Sequence, residues 1–215
     1  MRIFKETVSD LLWNVLNKLM DLEDLDSFRL VGGTALSLLL GHRVSLDIDM
    51  FSDLEYDSID FVALDQMFSD SFPYVDHGMS GNNSFGKSYF IGNSEIDVIK
   101  VDLFYTDTFK FPLLQPHKIR IAHLAEITAM KLDVIGNNGR KKDYWDIHEL
   151  LNHFSWNEML SFYEARYPFG HTREELILKL TDFNIADLDF DPVCLKGKYW
   201  ELIKLDIEES VKRFL

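Results

Sequence analysis

Cysteine and long apolar segments are both scarce in this chain of 215 residues. The one cysteine, Cys194, cannot form a disulfide within the chain, which favours a reducing compartment. The first residues contain no apolar stretch of the length that a secretory signal needs. Uninterrupted apolar runs such as 38–40 are far shorter than the ~20 residues of a membrane span. We therefore expect a cytoplasmic protein with no membrane partner.

Positive charge is also in short supply. The 22 Lys and Arg residues are outnumbered by 36 Asp and Glu residues, and the net charge is −14. This balance argues against general affinity for nucleic acids, because basic side chains normally neutralise their phosphates. Residues 110–142 are an exception, with seven basic and two acidic residues. That segment is either a solvated helix and loop or a local anion-binding wall.

Hydrophobic periodicity divides the chain into a mixed N-terminal part and a helical C-terminal part. It predicts strands at 28–31, 46–51, 72–79, 84–91 and 95–105, the last three forming an antiparallel meander with turns at 81–83 and 92–94. It predicts helices at 6–22, 34–40, 57–70 (capped by Asp57 or Ser58), 122–135, 141–154, 156–166, 172–182 and 197–213. We expect a mixed α+β fold with two domains, 1–115 and 116–215, that enclose a ligand cleft.

One segment combines a glycine turn with paired carboxylates: Gly32-Gly33-Thr34, followed by Asp47-Ile48-Asp49. Glycines where a strand meets a helix let backbone N–H groups approach a phosphate closely, so this turn is a candidate nucleotide-binding element. Asp47 and Asp49 lie two residues apart on a predicted strand and therefore share one face. They either remain solvated or hold a divalent cation.

A third carboxylate, Asp102, lies in another alternating segment, 99–104. If its strand lies beside that of Asp47, three like charges converge, and a Mg²⁺ ion would relieve their repulsion and bridge substrate phosphates. Asp97 is an odd number of residues from Asp102, so it is expected to face the opposite side of a regular strand. We therefore prefer Asp102 as the third acid.

Several basic and polar residues admit both a structural and a functional interpretation. Lys131 lies on the apolar stripe of its predicted helix, where it either extends to solvent or meets a buried anion such as a triphosphate. Arg43 either contacts phosphate or belongs to a surface loop. Ser45 either binds a phosphate oxygen or caps the strand. Asp143 and Asp146 share a helix face, where they either stabilise the helix start or orient Lys131 or an acceptor hydroxyl.

Three segments in order resemble motifs of the AbiEii/AbiGii-type nucleotidyltransferases, the toxin halves of bacterial abortive-infection and toxin–antitoxin pairs. Residues 30–36 with 42–49 resemble the first motif, 99–104 resembles the strand of the third acid, and 126–132 with 140–147 resembles the lysine-containing motif. The resemblance covers roughly residues 28–150.

This resemblance implies a polymerase-β-like nucleotidyltransferase core with a mixed, largely antiparallel sheet, followed by a C-terminal helical domain. The implied nucleotide-binding residues are Gly32, Gly33, Thr34, Arg43, Ser45 and Lys131. The implied ligands of two Mg²⁺ ions are Asp47 and Asp49, with Asp102 as a third ligand or as the base. The implied catalytic set consists of these three with Lys131 and Asp143.

The expected reaction is attack of an acceptor hydroxyl on the α-phosphorus of an NTP, with pyrophosphate as the leaving group. Some members of the family modify tRNA. A toxin of this kind in phage defence implies a cognate antitoxin, which is a DNA-binding regulator. A protein or small-molecule acceptor, and a non-catalytic domain with a relic site, are the alternatives.

Overall fold

The computed structural model describes residues 2–78 and 85–215. Its strands are β1 (Phe28–Leu30), β2 (Asp47–Ser52), β3 (Tyr74–Asp76), β4 (Gly86–Ser94) and β5 (Asp97–Tyr105). Its α-helices are α1 (Asp10–Met20), α2 (Gly32–Leu40), α3 (Phe61–Ser71), α4 (Leu124–Gly136), α5 (Lys141–Leu150), α6 (Trp156–Arg166), α7 (Arg173–Leu180) and α8 (Trp200–Phe214). The turn predicted at 81–83 lies outside the described residues.

The five strands form one mixed sheet in the order β1-β2-β5-β4-β3. Only β2 and β5 run parallel, and the other three neighbouring pairs are antiparallel. The predicted α+β class, the largely antiparallel sheet and the antiparallel arrangement of the last three strands are therefore confirmed. The parallel register pairs Asp49 with Asp102 and Asp47 with Lys100. The two acid-bearing strands are thus direct neighbours.

Alternation along these strands separates a core face from a site face. Ile48, Met50, Val101 and Leu103 are fully buried, whereas the acids between them are only partly buried. Helix α1 packs against β2, β4 and β5. No helix in the described parts of the chain is long and apolar enough to cross a membrane.

Helix starts account for several differences from prediction. The helix predicted at 6–22 begins at Asp10, because Ser9 is extended and its hydroxyl accepts a hydrogen bond from Leu12 N at 3.1 Å. The helix predicted at 57–70 begins at Phe61, because Asp60, rather than Asp57 or Ser58, accepts hydrogen bonds from the first-turn amides. The predicted helix at 197–213 begins at Trp200.

Strand and helix ends also differ elsewhere. The turn predicted at 92–94 is wrong, since these residues continue β4 through an irregular pairing and the hairpin turn follows at Glu95 and Ile96. Among the described residues, the strand predicted at 72–79 is limited to β3, and the helix predicted at 141–154 ends at Leu150.

The segment before α4 is tied to the sheet by backbone hydrogen bonds. Leu30 N donates to Arg120 O at 2.7 Å, and Ala122 N donates to Leu30 O at 2.9 Å. Helix α4 then packs against α2, α5, α6 and α7. The division into domains 1–115 and 116–215 stays a prediction.

The basic segment 110–142 does not form one continuous anion-binding wall. The guanidinium of Arg120 is buried and donates to the carbonyls of Met20, Leu25 and Phe28. Lys141 pairs with Asp191 at 2.8 Å. Three basic residues of this segment, Lys131, Arg140 and Lys142, line the cleft described below.

Candidate active site

The glycine turn forms the first turn of α2 and contacts an acid of β2. Gly32 has a φ of +67°, and a Cβ atom at this position would lie 2.7 Å from Asp49 Oδ2. A Cβ atom at Gly33 would collide with the guanidinium of Arg43. Glycine at both positions therefore lets the backbone at the start of α2 lie directly against the carboxylate and the guanidinium.

Three carboxylates gather where β2 and β5 lie side by side. Asp47 and Asp49 share a face of β2, and Asp102 on β5 is the register partner of Asp49. Burial, followed by the charges of Asp47 and Asp102, raises the pKa of Asp49 to about 6. The convergence expected from the alternating pattern is therefore present.

Asp102 is held at both oxygens by neighbouring side chains. Ser88 Oγ donates to Asp102 Oδ1 at 2.6 Å, and Lys100 Nζ donates to Asp102 Oδ2 at 2.6 Å. Asp97 lies at the other end of β5, where it accepts a hydrogen bond from Asn93 at 2.7 Å. The sequence gives no sign that Ser88 is a partner of Asp102. Lys100 is two residues from Asp102 on the same strand face, but the spacing alone does not show that the two side chains are in contact.

The donor set suits a hard divalent cation. Asp47 and Asp49 supply the oxygen ligands that Mg²⁺ prefers, and a cation would offset both the burial and the neighbouring charges that raise the pKa of Asp49. Within residues 2–78 and 85–215, no three His, Cys, Asp or Glu side chains already have the arrangement of a formed metal site. Asp102 would have to exchange Lys100 for the ion.

Lys131 is enclosed by two carboxylates of α5. Its Nζ lies 2.7 Å from Asp143 Oδ1 and 2.7 Å from Asp146 Oδ2. The side chain is buried, so the interpretation in which it extends to solvent is wrong. Burial lowers the pKa of Lys131, but Asp146 and Asp143 outweigh burial and raise it. Lys131 is thus a firmly charged ammonium on the wall of the cleft.

Arg43 is equally buried, and its guanidinium forms a two-point pair with Asp146. Arg43 therefore does not belong to an exposed surface loop, and its charge is already matched. His42 is also fully buried and contacts the same carboxylate. Sequence reasoning placed Asp146 on a helix face with Asp143 but did not identify it as the common partner of Lys131, Arg43 and His42.

Thr34 and Ser45 connect the glycine helix to the acid-bearing strand. The Thr34 hydroxyl contacts Ser45 Oγ at 2.8 Å and donates to the Asp47 carbonyl. Both side chains are buried. These contacts fix the backbone before Asp47, and Thr34 does not line the cleft.

The cleft in front of these residues has a volume of about 390 Å³. One wall is formed by the three carboxylates and the Gly32–Gly33 backbone, and the facing wall by α4 and the start of α5. The lining residues on that side are Ile127, Met130, Lys131, Val134, Asn138, Arg140, Lys142 and Asp143. Amide donors, cations and carboxylates thus face one another beside an apolar surface, which suits a nucleoside phosphate.

Lys142 is an unpredicted cation of this cleft. Its Nζ lies 3.9 Å from Asp47 Oδ2. Burial lowers the pKa of Lys142, Asp47 opposes that effect, and Arg140 and Lys131 add to it. Cations that repel one another here would be stabilised by an added anion.

Solved structures of other proteins share this fold. MenT4, a nucleotidyltransferase toxin from Mycobacterium tuberculosis H37Rv, superposes with a TM-score of 0.61 at 15% identity, over 94% of this chain and 83% of its own. JHP933 from Helicobacter pylori gives 0.55 at 16% identity, over 94% and 88%. The chain therefore shares the fold of these proteins.

The family follows from the sequence comparison. The model of the family described as nucleotidyl transferase AbiEii toxin, type IV TA system, matches residues 14–208, so the chain belongs to this family. An uncharacterised protein of Aquifex aeolicus (strain VF5), aq_aa25, is 28% identical over 214 residues, covering 93% of this chain and 94% of its own. The resemblance expected from the three motifs is thereby confirmed.

Proposed function

We propose that this nucleotidyltransferase uses Mg²⁺ to transfer a nucleotide from an NTP to an acceptor hydroxyl, with an RNA 3′ end such as that of tRNA as the acceptor. The observation that carries the proposal is the position of Asp49. Its carboxylate lies between those of Asp47 and Asp102 and against the backbone of Gly32, where a metal and a phosphate would meet.

Asp47, Asp49 and Asp102 would hold the metal ions. Bound there, the ions would neutralise charge on the attacking and leaving oxygens. The Gly32 and Gly33 amides would bind phosphate oxygens at the start of α2. Lys131 would supply positive charge to the triphosphate, and Asp143 would keep Lys131 oriented through its 2.7 Å contact.

The transfer itself is one exchange of bonds. The acceptor oxygen forms a bond to the α-phosphorus, while the bond from that phosphorus to the bridging oxygen of pyrophosphate breaks. Pyrophosphate leaves with the electron pair of the broken bond. The hydroxyl proton passes to Asp102, whose Oδ2 would then no longer contact Lys100.

Substitution of the central acid tests this assignment. Asp49→Asn keeps the size of the side chain and should reduce incorporation of labelled NTP by at least a hundredfold. Asp97→Asn is the matched control, because Asp97 is an exposed acid on β5 outside the cleft. Incorporation by Asp49→Asn at the wild-type rate would refute the assignment.

The acceptor is tested separately. The protein is incubated with each labelled NTP and a cell extract, and RNA, protein and metabolites are then separated. Label in RNA that depends on Asp49 supports the proposal, whereas label only in protein or metabolites replaces RNA with one of those acceptors. Absence of Mg²⁺-dependent NTP binding in calorimetry would instead favour a relic site.

We further propose that the protein acts in the cytoplasm as the toxin of a phage-defence pair with a DNA-binding antitoxin. Membership of the AbiEii toxin family supports this. Expression of the wild-type chain should stop bacterial growth, expression of Asp49→Asn should not, and co-expression of an adjacent regulator gene should restore growth. Equal toxicity of both chains would show that growth arrest does not depend on nucleotide transfer.

A further inference from the structure

A second depression adjoins the cleft. It has a volume of about 270 Å³ and shares Asp47, Arg140 and Lys142 with the cleft. Its other walls come from the loop before β2 and from residues 189–193. These residues begin a longer segment, 189–198, which we call the C-terminal strap. A group seated in this depression would thus contact Asp47 without contacting the Gly32–Gly33 turn, which lines the cleft alone.

The C-terminal strap is fastened to the loop before β2. Val44 N donates to Val193 O at 2.9 Å, and Leu195 N donates to His42 O at 2.9 Å. These two hydrogen bonds connect the strap directly to the residues that flank Arg43.

The strap is also fastened to α5 by ion pairs. Lys196 and Lys198 each contact the buried carboxylate of Glu149 at 2.6 Å, and Lys141 contacts Asp191 at 2.8 Å. The outer wall of the depression is therefore preorganised, although it contains no helix or strand of its own.

Three large apolar side chains that line the depression are exposed to solvent. Phe190 is 92% exposed, Leu46 is 74% exposed and Val193 is 64% exposed, and all three line the depression. An aromatic face held open beside a reaction site is typical of surfaces on which nucleic-acid bases stack.

Charge restricts the ligand to a short one. Arg140 and Lys142 line the depression, where both cations can contact an added anion, and Asp47 lies 3.9 Å from Lys142 at the same place. The acids on the strap are partly compensated, since Asp191 pairs with Lys141 and Asp189 accepts a hydrogen bond from Phe190 N at 2.9 Å. Two cations suffice for one or two phosphates, and the acidic remainder of the protein disfavours a long contact.

We propose that this depression binds the terminal nucleotide of a single-stranded nucleic-acid acceptor, with its base stacked on Phe190 and its phosphate at Arg140 and Lys142. The terminal hydroxyl then lies toward Asp47, where the depression opens into the cleft. This inference rests on the proposed function for the identity of the reaction, but it adds to the acceptor side of the site Phe190 of the C-terminal strap, a residue that the family motifs do not include.

The test compares two exposed phenylalanines. Phe190→Ala removes the stacking surface, and Phe169→Ala is the matched control, because Phe169 is fully exposed and outside the depression. Binding of a fluorescein-labelled single-stranded oligoribonucleotide is measured by fluorescence anisotropy without NTP. Phe190→Ala should weaken binding about tenfold, Phe169→Ala should not, and Phe190→Trp should retain it.

A second measurement separates this inference from the proposed function. In transfer assays, Phe190→Ala should raise KM for the oligoribonucleotide and leave KM for NTP unchanged. Equal oligoribonucleotide binding by wild type and Phe190→Ala would overturn the inference while leaving nucleotide transfer intact. A peptide acceptor whose modification depends on Phe190 would also overturn it. If no acceptor is modified but binding still depends on Phe190, the proposed reaction fails and the binding surface stands.

Discussion

Asp146 accepts hydrogen bonds from both Nε and Nη2 of Arg43, at 2.7 and 2.8 Å. The same carboxylate lies 2.7 Å from His42 and 2.7 Å from Lys131. Burial opposes its ionisation, but Arg43, Lys131 and the hydrogen bonds outweigh burial and hold the pKa of Asp146 well below its ordinary value. One carboxylate of α5 thus joins the loop before β2 to the lysine of α4.

Replacing Asp146 with Ala should lower the free energy of unfolding by about 3–5 kcal/mol, because Arg43 and Lys131 would remain buried with their main counter-charge removed. Urea denaturation at neutral pH measures this loss. Asp191→Ala is the control, since Asp191 is 62% exposed and its pair with Lys141 should contribute under about 1 kcal/mol. Similar losses in the two variants would contradict the role of Asp146.

The pH dependence of this contribution has a definite direction. A carboxylate whose folded pKa is depressed stabilises the fold above its unfolded pKa, which is about 3.9. The stabilisation is lost as the pH falls through the lower pKa of the folded state. The difference in stability between wild type and Asp146→Ala should therefore be constant from about pH 5 upward and shrink below about pH 4.

Asp49 should show the opposite dependence. Its folded pKa of about 6 lies above the ordinary 3.8, so the folded state binds the proton more tightly. The ionised carboxylate then costs the fold about 3 kcal/mol above pH 6, and this cost disappears as the pH falls toward 4. Asp49→Asn should thus stabilise the metal-free protein at pH 7 by up to that amount while abolishing transfer.

Urea denaturation of Asp49→Asn across about pH 4 to 8, with divalent ions chelated, tests this expectation. Asp97→Asn should show no such gain, because Asp97 is exposed. A gain for Asp49→Asn that is independent of pH would mean that removal of the buried negative charge is not its source.

The contrast between Asp102 and Asp146 shows what the sequence could reveal. Alternation of apolar and polar residues along two strands predicted that Asp102 lies on a polar face. The further assumption that the two strands are neighbours predicted that Asp102 lies close to Asp49. Asp146 and Arg43 are 103 residues apart, and no local pattern indicates that both are buried. A buried ion pair depends on the packing of distant elements, which periodicity does not encode.

Element boundaries show the same limit on a smaller scale. Asp57, Ser58 and Asp60 are all acceptable caps by residue type. The choice of Asp60 follows from where the chain leaves β2 and from contacts such as Ile59 N to Tyr105 Oη at 2.6 Å. Composition identified the helix, and tertiary contacts selected its first residue.

Gly32→Ala should impair both stability and transfer. Part of the lost stability comes from the positive φ of residue 32, which alanine adopts only with strain. The other part comes from Asp49 Oδ2, which would lie 2.7 Å from the new Cβ. Gly197→Ala separates the two effects, because Gly197 has a φ of +64° and a Cβ added there would meet nothing within 4 Å. The control should lose about 1 kcal/mol of unfolding free energy.

Gly32→Ala should lose a further 1–3 kcal/mol, roughly the cost of inserting a methyl group into a packed site. Transfer activity should fall at least tenfold in Gly32→Ala and remain at the wild-type level in Gly197→Ala. Equal stability losses, with activity retained in both variants, would show that the contact with Asp49 has no consequence.

Lys100→Ala should increase affinity for Mg²⁺. In the described structure Lys100 Nζ donates to Asp102 Oδ2 at 2.6 Å, so an arriving ion must displace an ammonium before it can use that oxygen. Removal of the ammonium leaves the three carboxylates with less compensation and a stronger requirement for a cation. Calorimetric titration with Mg²⁺ should give a Kd severalfold lower than in wild type.

Lys110→Ala, at an exposed position outside the cleft, should leave Kd unchanged. A higher Kd in Lys100→Ala would mean that Lys100 supports the metal-binding arrangement instead of competing with it.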